Sequence, residues 1–219
     1  MSKEAIKQER EYWDCRYREA LPSGGRTFID EEWDLINRFV YELGVVTDIG
    51  CGDLRFWEGR WDKVDVYQGL DISKEIIERN RANKIVGKQT FICAPAEEYC
   101  AALEAHTVFC LNTLFHIMDA ENFHKILDNI CRYAKRYLIL SAWMKNPFLE
   151  GDSDGVYQKY VPFDANFVLS HGFEGVIYMR QVSLGSTQNV VNSENVLDLK
   201  EHNLKNRIDK GFYIFRRVQ

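Results

Sequence analysis

Apolar residues follow two alternating patterns through the first two thirds of the chain. Short apolar runs predict buried strands from residue 45, and then over 64–72, 89–94, 108–111 and 137–143. Helical spacing predicts helices over 3–20 and 30–43 ahead of these strands, and over 74–83, 97–104 and 120–136 between them. Strands that alternate with helices predict a parallel sheet with helices on both faces.

This alternation ends after residue 143. Residues 144–174 contain Pro147, Gly151, Gly155 and Pro162, so we expect a long connection with one short helix over 163–170. Two further apolar runs, over 175–182 and 211–218, predict strands that close the sheet.

The first predicted strand leads into a turn that carries candidate chemistry. It ends in Asp48-Ile-Gly-Cys-Gly-Asp53, and the second strand ends on Asp71, 23 residues after Asp48. Glycines let a ligand approach the backbone, and a carboxylate at the end of the second strand can accept hydrogen bonds from two ribose hydroxyls. The pairing indicates a nucleotide-binding β-α-β unit. The alternative for Asp71 is a carboxylate that caps the next helix.

Three segments resemble motifs of the class I S-adenosylmethionine (SAM) dependent methyltransferases. They are the glycine segment at Asp48, Gly69-Leu-Asp-Ile-Ser73 and Phe109-Cys-Leu-Asn-Thr-Leu-Phe-His-Ile117. In addition, Glu11-Tyr-Trp-Asp-Cys-Arg-Tyr17 is similar to a segment of small bacterial methyltransferases, many of which modify surface polysaccharides or other small molecules. The resemblance covers roughly the first two thirds of the chain and fades after Trp143.

The resemblance implies a Rossmann-like α/β fold. We expect a mostly parallel seven-stranded sheet with helices on both faces and a closing antiparallel hairpin. Residues 1–219 would form a single domain, with N-terminal helices and a lid at Gly24-Gly25 in 1–44, a SAM-binding core in 45–143, and an acceptor-side region with the closing strands in 144–219.

The resemblance also assigns roles to residues of the core. Gly50 and Gly52 would line the methionine part of SAM, Asp48 would orient their loop, and Asp71 would hold the ribose. The same resemblance implies that further residues contact the cofactor: Ile72, Ala96, Glu97 and Asn112.

The chain departs from the family pattern at two positions. Leu54 stands where a third glycine is common, so we expect this position to adopt a positive φ less easily. Pro95 stands where many members have an acidic residue for the adenine amine. Adenine recognition would then fall to the backbone near Ala94 and Ala96, or to Glu97. Glu97 could equally be the start of a helix after Pro95.

The predicted first helix carries Trp13, Arg16 and Tyr17. The guanidinium could pair with the SAM carboxylate, and the aromatic rings could lie over the sulfonium or close the pocket. The alternative is an amphipathic helix that docks Trp13 on the domain while Arg16 stays in water.

His116 follows the fourth predicted strand, near the expected position of the methyl group. A histidine there could act as general base for a hydroxyl acceptor. Alternatively, it packs at this position without proton transfer. The variable last third contains polar and aromatic groups that could line an acceptor site with His116: Trp143, Lys145, Tyr157, Lys159, Tyr160, His171 and Arg180.

Composition narrows the class of partner. A net charge of -5 and a pI near 5.6 argue against a broad nucleic-acid surface. The six cysteines show no zinc spacing, so we expect reduced core thiols, no metal and a cytoplasmic location. The charged N-terminal residues do not resemble a signal peptide, and no run is long enough to span a membrane.

These observations predict an enzyme that moves the SAM methyl group to oxygen or nitrogen of a small polar metabolite, with a sugar-derived intermediate of surface polysaccharide synthesis as the first candidate. One alternative is a methyltransferase for RNA, DNA or protein, although Asn112-Thr-Leu-Phe115 lacks the Pro-Pro-aromatic motif of amino-methylating nucleic-acid enzymes. Another is a SAM-binding protein without catalysis. A nicotinamide oxidoreductase is disfavoured because no third glycine follows Gly52 at the required spacing.

Overall fold

The computed structural model describes residues 3–19, 29–85, 87–117, 119–143, 163–179, 196–198 and 210–218. Two helices, α1 (Lys3–Arg18) and α2 (Ile29–Phe39), precede the sheet. The other helices are α3 (Lys74–Ala82), α4 (Ala120–Tyr133) and α5 (Ala165–Ser170).

Within these ranges, eight strands form one sheet. They are β1 (Val45–Ile49), β2 (Val66–Asp71), β3 (Gln89–Cys93), β4 (Ala105–Cys110), β5 (Ala134–Trp143), β6 (Phe173–Met179), β7 (Val196–Asp198) and β8 (Lys210–Arg217). Their order is β3-β2-β1-β4-β5-β8-β6-β7. The first five are parallel, while β8 pairs antiparallel with both β5 and β6.

The predicted Rossmann-like fold is therefore confirmed, with its seven strands and the closing antiparallel pair. The short edge strand β7 is additional and pairs with β6. The order in which strands are added to the sheet reverses between β1 and β4, because β2 and β3 lie on one side of β1 and the later strands on the other. In open α/β sheets, ligands bind at this switch point, beyond the carboxyl ends of the strands.

Side chains alternate between two apolar layers, as strand geometry requires. In β5, Leu138 and Leu140 face the layer that contains α4 and α5, whereas Tyr137 and Ile139 face the layer that contains α2 and α3. Both faces of the sheet are thus covered, as predicted. Within the described residues, no helix combines the length and apolar character needed to cross a bilayer.

The helix predicted over residues 97–104 is wrong. Only a single 3-10 turn forms there, at Ala101–Leu103. The backbone just before it bonds to a side chain instead, because the Tyr133 hydroxyl accepts a hydrogen bond from Cys100 N (2.8 Å) and donates one to Glu98 O (3.3 Å). A tertiary contact from α4 therefore replaces helical hydrogen bonds.

Candidate functional site: the carboxyl ends of β1, β2 and β4

The glycine loop turns at the switch point of the sheet. Gly50 and Gly52 have φ values of +70° and +53°. The amides of Gly50 and Cys51 both donate to Leu70 O, at 2.8 and 3.0 Å, which ties the loop to β2. A Cβ built on Gly50 would lie 2.1 Å from Thr113 Oγ1, in the segment after β4. Gly50 therefore lets the loop reach a conformation and a closeness that a side chain would prevent.

Leu54 corrects an expectation. It adopts φ 60° and ψ 11°, the left-handed conformation that we expected it to avoid. It precedes a 3-10 turn that buries Phe56 and Trp57, and Trp33 Nε1 donates to Phe56 O at 3.0 Å. Burial of these rings after the loop offsets the backbone strain at Leu54.

Asp71 is held by two backbone amides. Gly52 N donates to Oδ2 at 3.0 Å and Ser73 N donates to Oδ1 at 2.9 Å, and the residue is only 7% exposed. Burial raises the pKa of Asp71 to about 6, although these two hydrogen bonds act in the opposite direction. Asp71 thus bonds the residue before α3, as the capping alternative required, and also the glycine loop. Each oxygen retains a lone pair for another donor.

Asp48 lies on β1, where it pairs with Gly69 of β2, and its side-chain partners differ from those of Asp71. Its Oδ2 accepts hydrogen bonds from Trp57 Nε1 and from the Tyr67 hydroxyl, both at 2.8 Å. Among the described contacts, Asp48 therefore fixes the turn that follows the glycine loop.

Helix α1 docks on the β2 side of the site through side chains. Arg10 Nε donates to Ile72 O at 3.0 Å. Asp14 Oδ1 accepts from Ser73 Oγ at 2.6 Å and from Glu75 N at 3.0 Å. Asp14 thereby adds a carboxylate from another helix to the N-terminus of α3, where negative charge is favourable.

The aromatic residues of α1 extend over the site toward β4. The Trp13 ring lies 4.7 Å from the His116 ring, centroid to centroid, in an edge-to-face arrangement. Tyr17 is buried, and this burial together with nearby Asp71 raises its pKa. Arg16 Nη1 lies 3.5 Å from the Tyr12 hydroxyl, with its guanidinium 5.7 Å from the Trp13 ring centroid. Helix α1 therefore spans the site from β2 to β4.

The β4 side is organised by Asn112 and Ser141. Asn112 has φ 58°, its N–H donates to Ser141 Oγ at 2.7 Å, and Ser141 Oγ donates to Asn112 Oδ1 at 3.1 Å. His116 ends the 3-10 turn Leu114–His116 and is half-buried between the rings of Trp13 and Phe115. Both residues thus lie where the sequence predicted, beyond the carboxyl end of β4.

Beyond β3, one backbone group of each of the two alanines considered for adenine recognition takes part in a hydrogen bond. Ala94 N donates to Asp71 O at 3.1 Å, and Ala96 O accepts from Asn129 Nδ2 at 3.0 Å. In contrast, Glu97 Oε1 is a buried oxygen with no hydrogen-bond partner in the described part of the chain. Of the residues considered for adenine, Glu97 therefore offers the open acceptor.

Glu9 also lies at this site and was not predicted from the sequence. It lies on α1, is 9% exposed, and has its pKa raised to about 7 by burial and then by the nearby charges of Glu97 and Asp71. Glu9, Trp13 and Tyr17 recur at intervals of four residues, so they share one helix face. That periodicity was the available signal.

The acceptor-side predictions fare differently. Trp143 ends β5, where its backbone pairs with Lys210. The prediction for His171 is wrong, because this residue lies at the amino end of β5, away from the site. Arg217 N–H groups donate to both His171 O and Ala134 O, and Ala134 is the first residue of β5. The remaining candidates lie outside the described residues: Lys145, Tyr157, Lys159, Tyr160 and Arg180, as do Gly24 and Gly25 of the expected lid.

The cysteines and acidic residues suggest no metal centre in the described ranges. No group of three His, Cys, Asp or Glu residues is arranged there to hold an ion. Cys51, Cys110 and Cys131 are buried free thiols. Burial raises the pKa of Cys131 to about 12, so it packs as a small apolar side chain.

Comparison with known proteins agrees with this geometry. Residues 46–136, which include β1 to β4 and their loops, match a family model described as a methyltransferase domain. A search of curated proteins gives no significant match.

Solved structures share the fold over nearly the whole chain. The N-methyltransferase NodS from Bradyrhizobium japonicum WM9, in complex with S-adenosylhomocysteine (SAH), is 12% identical with a TM-score of 0.62, over 99% of this chain and 98% of that one. Magnesium protoporphyrin IX methyltransferase from Synechocystis PCC 6803, with bound SAH, is 16% identical with a TM-score of 0.58, over 97% and 99%. A Haloferax volcanii methyltransferase in complex with the activator Trm112 is 14% identical with a TM-score of 0.64, over 98% of each chain.

At these identities the solved structures establish the fold, while the family model establishes the domain. The glycine loop, the acidic end of β2 and the antiparallel closing strands occupy the places that this fold assigns to them. Over residues 46–136 the chain therefore matches a methyltransferase domain, and its fold is the one shared by these SAM-dependent methyltransferases.

Proposed function

We propose that this protein transfers the methyl group of SAM to oxygen or nitrogen of a small polar metabolite, with a sugar-derived intermediate as the first candidate. The observation that carries the proposal is the buried Asp71 carboxylate, fixed between Gly52 N and Ser73 N at the switch point. A buried, oriented acceptor is suited to the paired hydroxyls of a ribose.

The residues present fit the cofactor. Asp71 keeps lone pairs for the ribose, and the glycine loop approaches Thr113 too closely for any side chain at Gly50. Gly50 and Gly52 would contact the methionine portion, with Ile72 and Asn112 at either side. Arg16 would pair with the cofactor carboxylate, and Tyr17 would cover the loop beside Asp71.

SAM, when bound, supplies a methyl group activated by a positively charged sulfur. The protein orients the reactants and excludes water from them. Trp13 and Tyr17 on α1 would exclude the water, and their aromatic faces would stabilise a nearby cation. Asn112 and His116 stand at the β4 end, where the acceptor would approach. Alignment of the reacting atoms is the main source of acceleration for such a displacement.

His116 would accept the proton of a hydroxyl acceptor. Its ring is held at an edge-to-face angle by Trp13 and is half-buried, which restricts its orientation. Positioned general bases contribute roughly a hundredfold to ten-thousandfold to rate. An amine acceptor that arrives uncharged would need less help.

The small acceptor is supported by charge and by α1. A chain with net charge -5 has no excess of cations for a polyanion. Helix α1 also spans the site from Ile72 to His116, which restricts the approach of a large surface. Among the solved structures with this fold, one is an N-methyltransferase and another acts on magnesium protoporphyrin IX.

Calorimetric titration with SAM, SAH and NAD tests the cofactor. Wild type should bind the two sulfur nucleosides and not NAD, and Asp71→Ala should weaken SAH about tenfold to a thousandfold through loss of charge-assisted hydrogen bonds. Asp65→Ala, at the exposed amino end of the same strand segment, is the matched control and should bind as wild type. Absence of SAH binding by the wild type would reject the proposal.

Acceptor class is tested by transfer of labelled methyl from SAM to pools of sugar nucleotides, small amines, RNA and protein. Label in RNA or protein alone would contradict the small-acceptor proposal. With a hydroxyl acceptor identified, His116→Gln should lower kcat about a hundredfold while SAH binding changes less than about threefold. His124→Gln, an exposed histidine on α4, is the control, and an unchanged kcat in His116→Gln would exclude the base role.

A further inference from the structure

Glu9 occupies an unusual place for a helix carboxylate. Its side chain is turned inward on α1 and is nine-tenths buried. The next residue, Arg10, bonds Ile72 O at the carboxyl end of β2, and Cys93 Sγ at the end of β3 reaches the same oxygen at 3.6 Å. Glu9 is therefore carried by α1 to the edge of the site where β2 and β3 end.

The neighbours of Glu9 are acidic. Glu97, which follows β3, and Asp71, which ends β2, are the charges that act on it. Within the described residues, no donor hydrogen-bonds the Glu9 carboxyl, and Glu97 Oε1 is buried without a partner. Buried polar groups in native proteins are almost always hydrogen-bonded, so the open Glu97 oxygen, in a region that also holds the Glu9 carboxyl, indicates a missing donor.

The position of that donor follows from the sheet. A ligand whose ribose lies on Asp71, and whose other end points to β4, must place its base on the opposite side, toward β3. Adenine carries an exocyclic amine, which offers two N–H donors. Ala94 N is itself a donor and Ala96 O already accepts one hydrogen bond, whereas Glu97 Oε1 has no partner in the described part of the chain.

We propose that Glu9 and Glu97 together form the adenine-recognition site, with a carboxyl oxygen of Glu9 accepting a hydrogen bond from the exocyclic amine. The inference rests on the proposed SAM function and deepens it. It gives α1 a direct part in cofactor selection, and Glu9 stands in for the acidic residue that Pro95 replaces. Burial and the nearby carboxylates raise the pKa of Glu9 to about 7, which is consistent with a carboxyl whose hydrogen-bond donor comes from the ligand.

The test compares SAH with its inosine analogue, in which a carbonyl replaces the adenine amine. At about pH 8.5, above the raised pKa, the ionised Glu9 should repel that carbonyl. Wild type should therefore prefer SAH about tenfold to a hundredfold. Glu9→Gln should reduce this preference to less than about threefold, because an amide can both accept from the amine and donate to the carbonyl. Glu97→Gln should reduce it in the same direction.

Glu11→Gln is the matched control, since Glu11 lies on the same helix and is exposed. Its preference for SAH should equal that of the wild type. A Glu9→Gln protein that discriminates as strongly as the wild type overturns the inference, and so does a wild type that binds both ligands equally. A wild type that binds neither rejects the proposed SAM function itself, so the two failures are distinct. Thermal unfolding confirms that each variant is folded.

Discussion

At the end of β2 backbone amides hold the polar side chain of the site, whereas at the end of β4 another side chain holds it. Asp71 is fixed by the amides of Gly52 and Ser73, and Asn112 is fixed by the hydroxyl of Ser141. Helix α1 touches both ends, through Arg10 at one and Trp13 at the other. We call Asp71 with the glycine loop the β2 end, and Asn112 with Ser141 the β4 end.

The difference indicates how each end can vary. Backbone amides are present whatever the side chains, so the β2 end depends on loop shape and tolerates few changes in its glycines. The β4 end depends on one hydroxyl and one left-handed asparagine, which substitution can rearrange at small cost. A binding site for a constant cofactor is suited to the first arrangement, and an acceptor site that differs among enzymes is suited to the second.

The largest effect is expected where the two ends touch. Gly50→Ala would place a Cβ 2.1 Å from Thr113 Oγ1 at φ +70°, so overpacking and backbone strain add. We expect the free energy of unfolding to fall by about 2 to 5 kcal/mol, measured by urea denaturation, and SAH binding to be lost.

Gly59→Ala separates the two causes. Gly59 has φ +72°, but nothing lies within 4 Å of the position that an alanine Cβ would take, so only strain of about 1 to 2 kcal/mol should appear. Thr113→Ala combined with Gly50→Ala should recover part of the larger loss. Equal losses in the two glycine variants would show that contact between the ends does not matter.

A smaller effect should follow from the acidic character of the β2 end. The folded-state pKa of Glu9, about 7, lies above its ordinary 4.5, so folding favours the protonated form. Its contribution to stability is full below about pH 4.5 and is lost as pH rises to about 7. Glu9→Gln removes this dependence. We therefore expect it to raise the free energy of unfolding by about 1 to 3 kcal/mol at about pH 8 relative to wild type, compared with little gain at about pH 4.5.

Urea denaturation of ligand-free protein at the two pH values measures this difference. Glu11→Gln, on the exposed face of α1, should show the same small change at both. A gain for Glu9→Gln that does not depend on pH would mean that Glu9 does not titrate in the folded protein near neutrality.

The β2 end was also the more predictable from sequence. Gly50, Gly52 and Asp71 carry their chemistry in residue type and spacing, and the parallel strands follow from apolar runs. The helix predicted over 74–83 forms as α3, and Ser73 caps it by accepting a hydrogen bond from Ile76 N at 3.3 Å. Patterns of residue type and spacing along the sequence therefore predicted the strands, the glycine loop and α3.

Tertiary contacts account for what the sequence did not predict. Tyr133 prevents a helix at residues 98–100. The burial of Phe56 and Trp57 holds Leu54 in a left-handed conformation. Arg217 places His171 at the amino end of β5. Glu9 belongs to the site only because α1 docks through Asp14 and Arg10, contacts that link residues about 60 positions apart. No local pattern encodes such pairings.

The smallest effect is expected at the β4 end. Ser141→Ala removes the hydroxyl that accepts from Asn112 N and donates to Asn112 Oδ1, at a residue only 1% exposed. The half-buried Asn112 can regain part of this bonding by moving, so we expect the free energy of unfolding to fall by about 1 to 2 kcal/mol.

SAH affinity should change less than about tenfold, because Asp71 and the glycine loop remain in place. Ser170→Ala, which removes an exposed hydroxyl that donates to Phe167 O at 2.7 Å, should change stability by less than about 0.5 kcal/mol because water replaces this hydrogen bond. In a double-mutant cycle, Ser141→Ala and Asn112→Ala should be non-additive by about 0.5 to 1.5 kcal/mol. If Ser141→Ala instead abolished SAH binding, the β4 end would be as rigidly tied to the cofactor as the β2 end, and the distinction between a fixed and an adaptable end would be wrong.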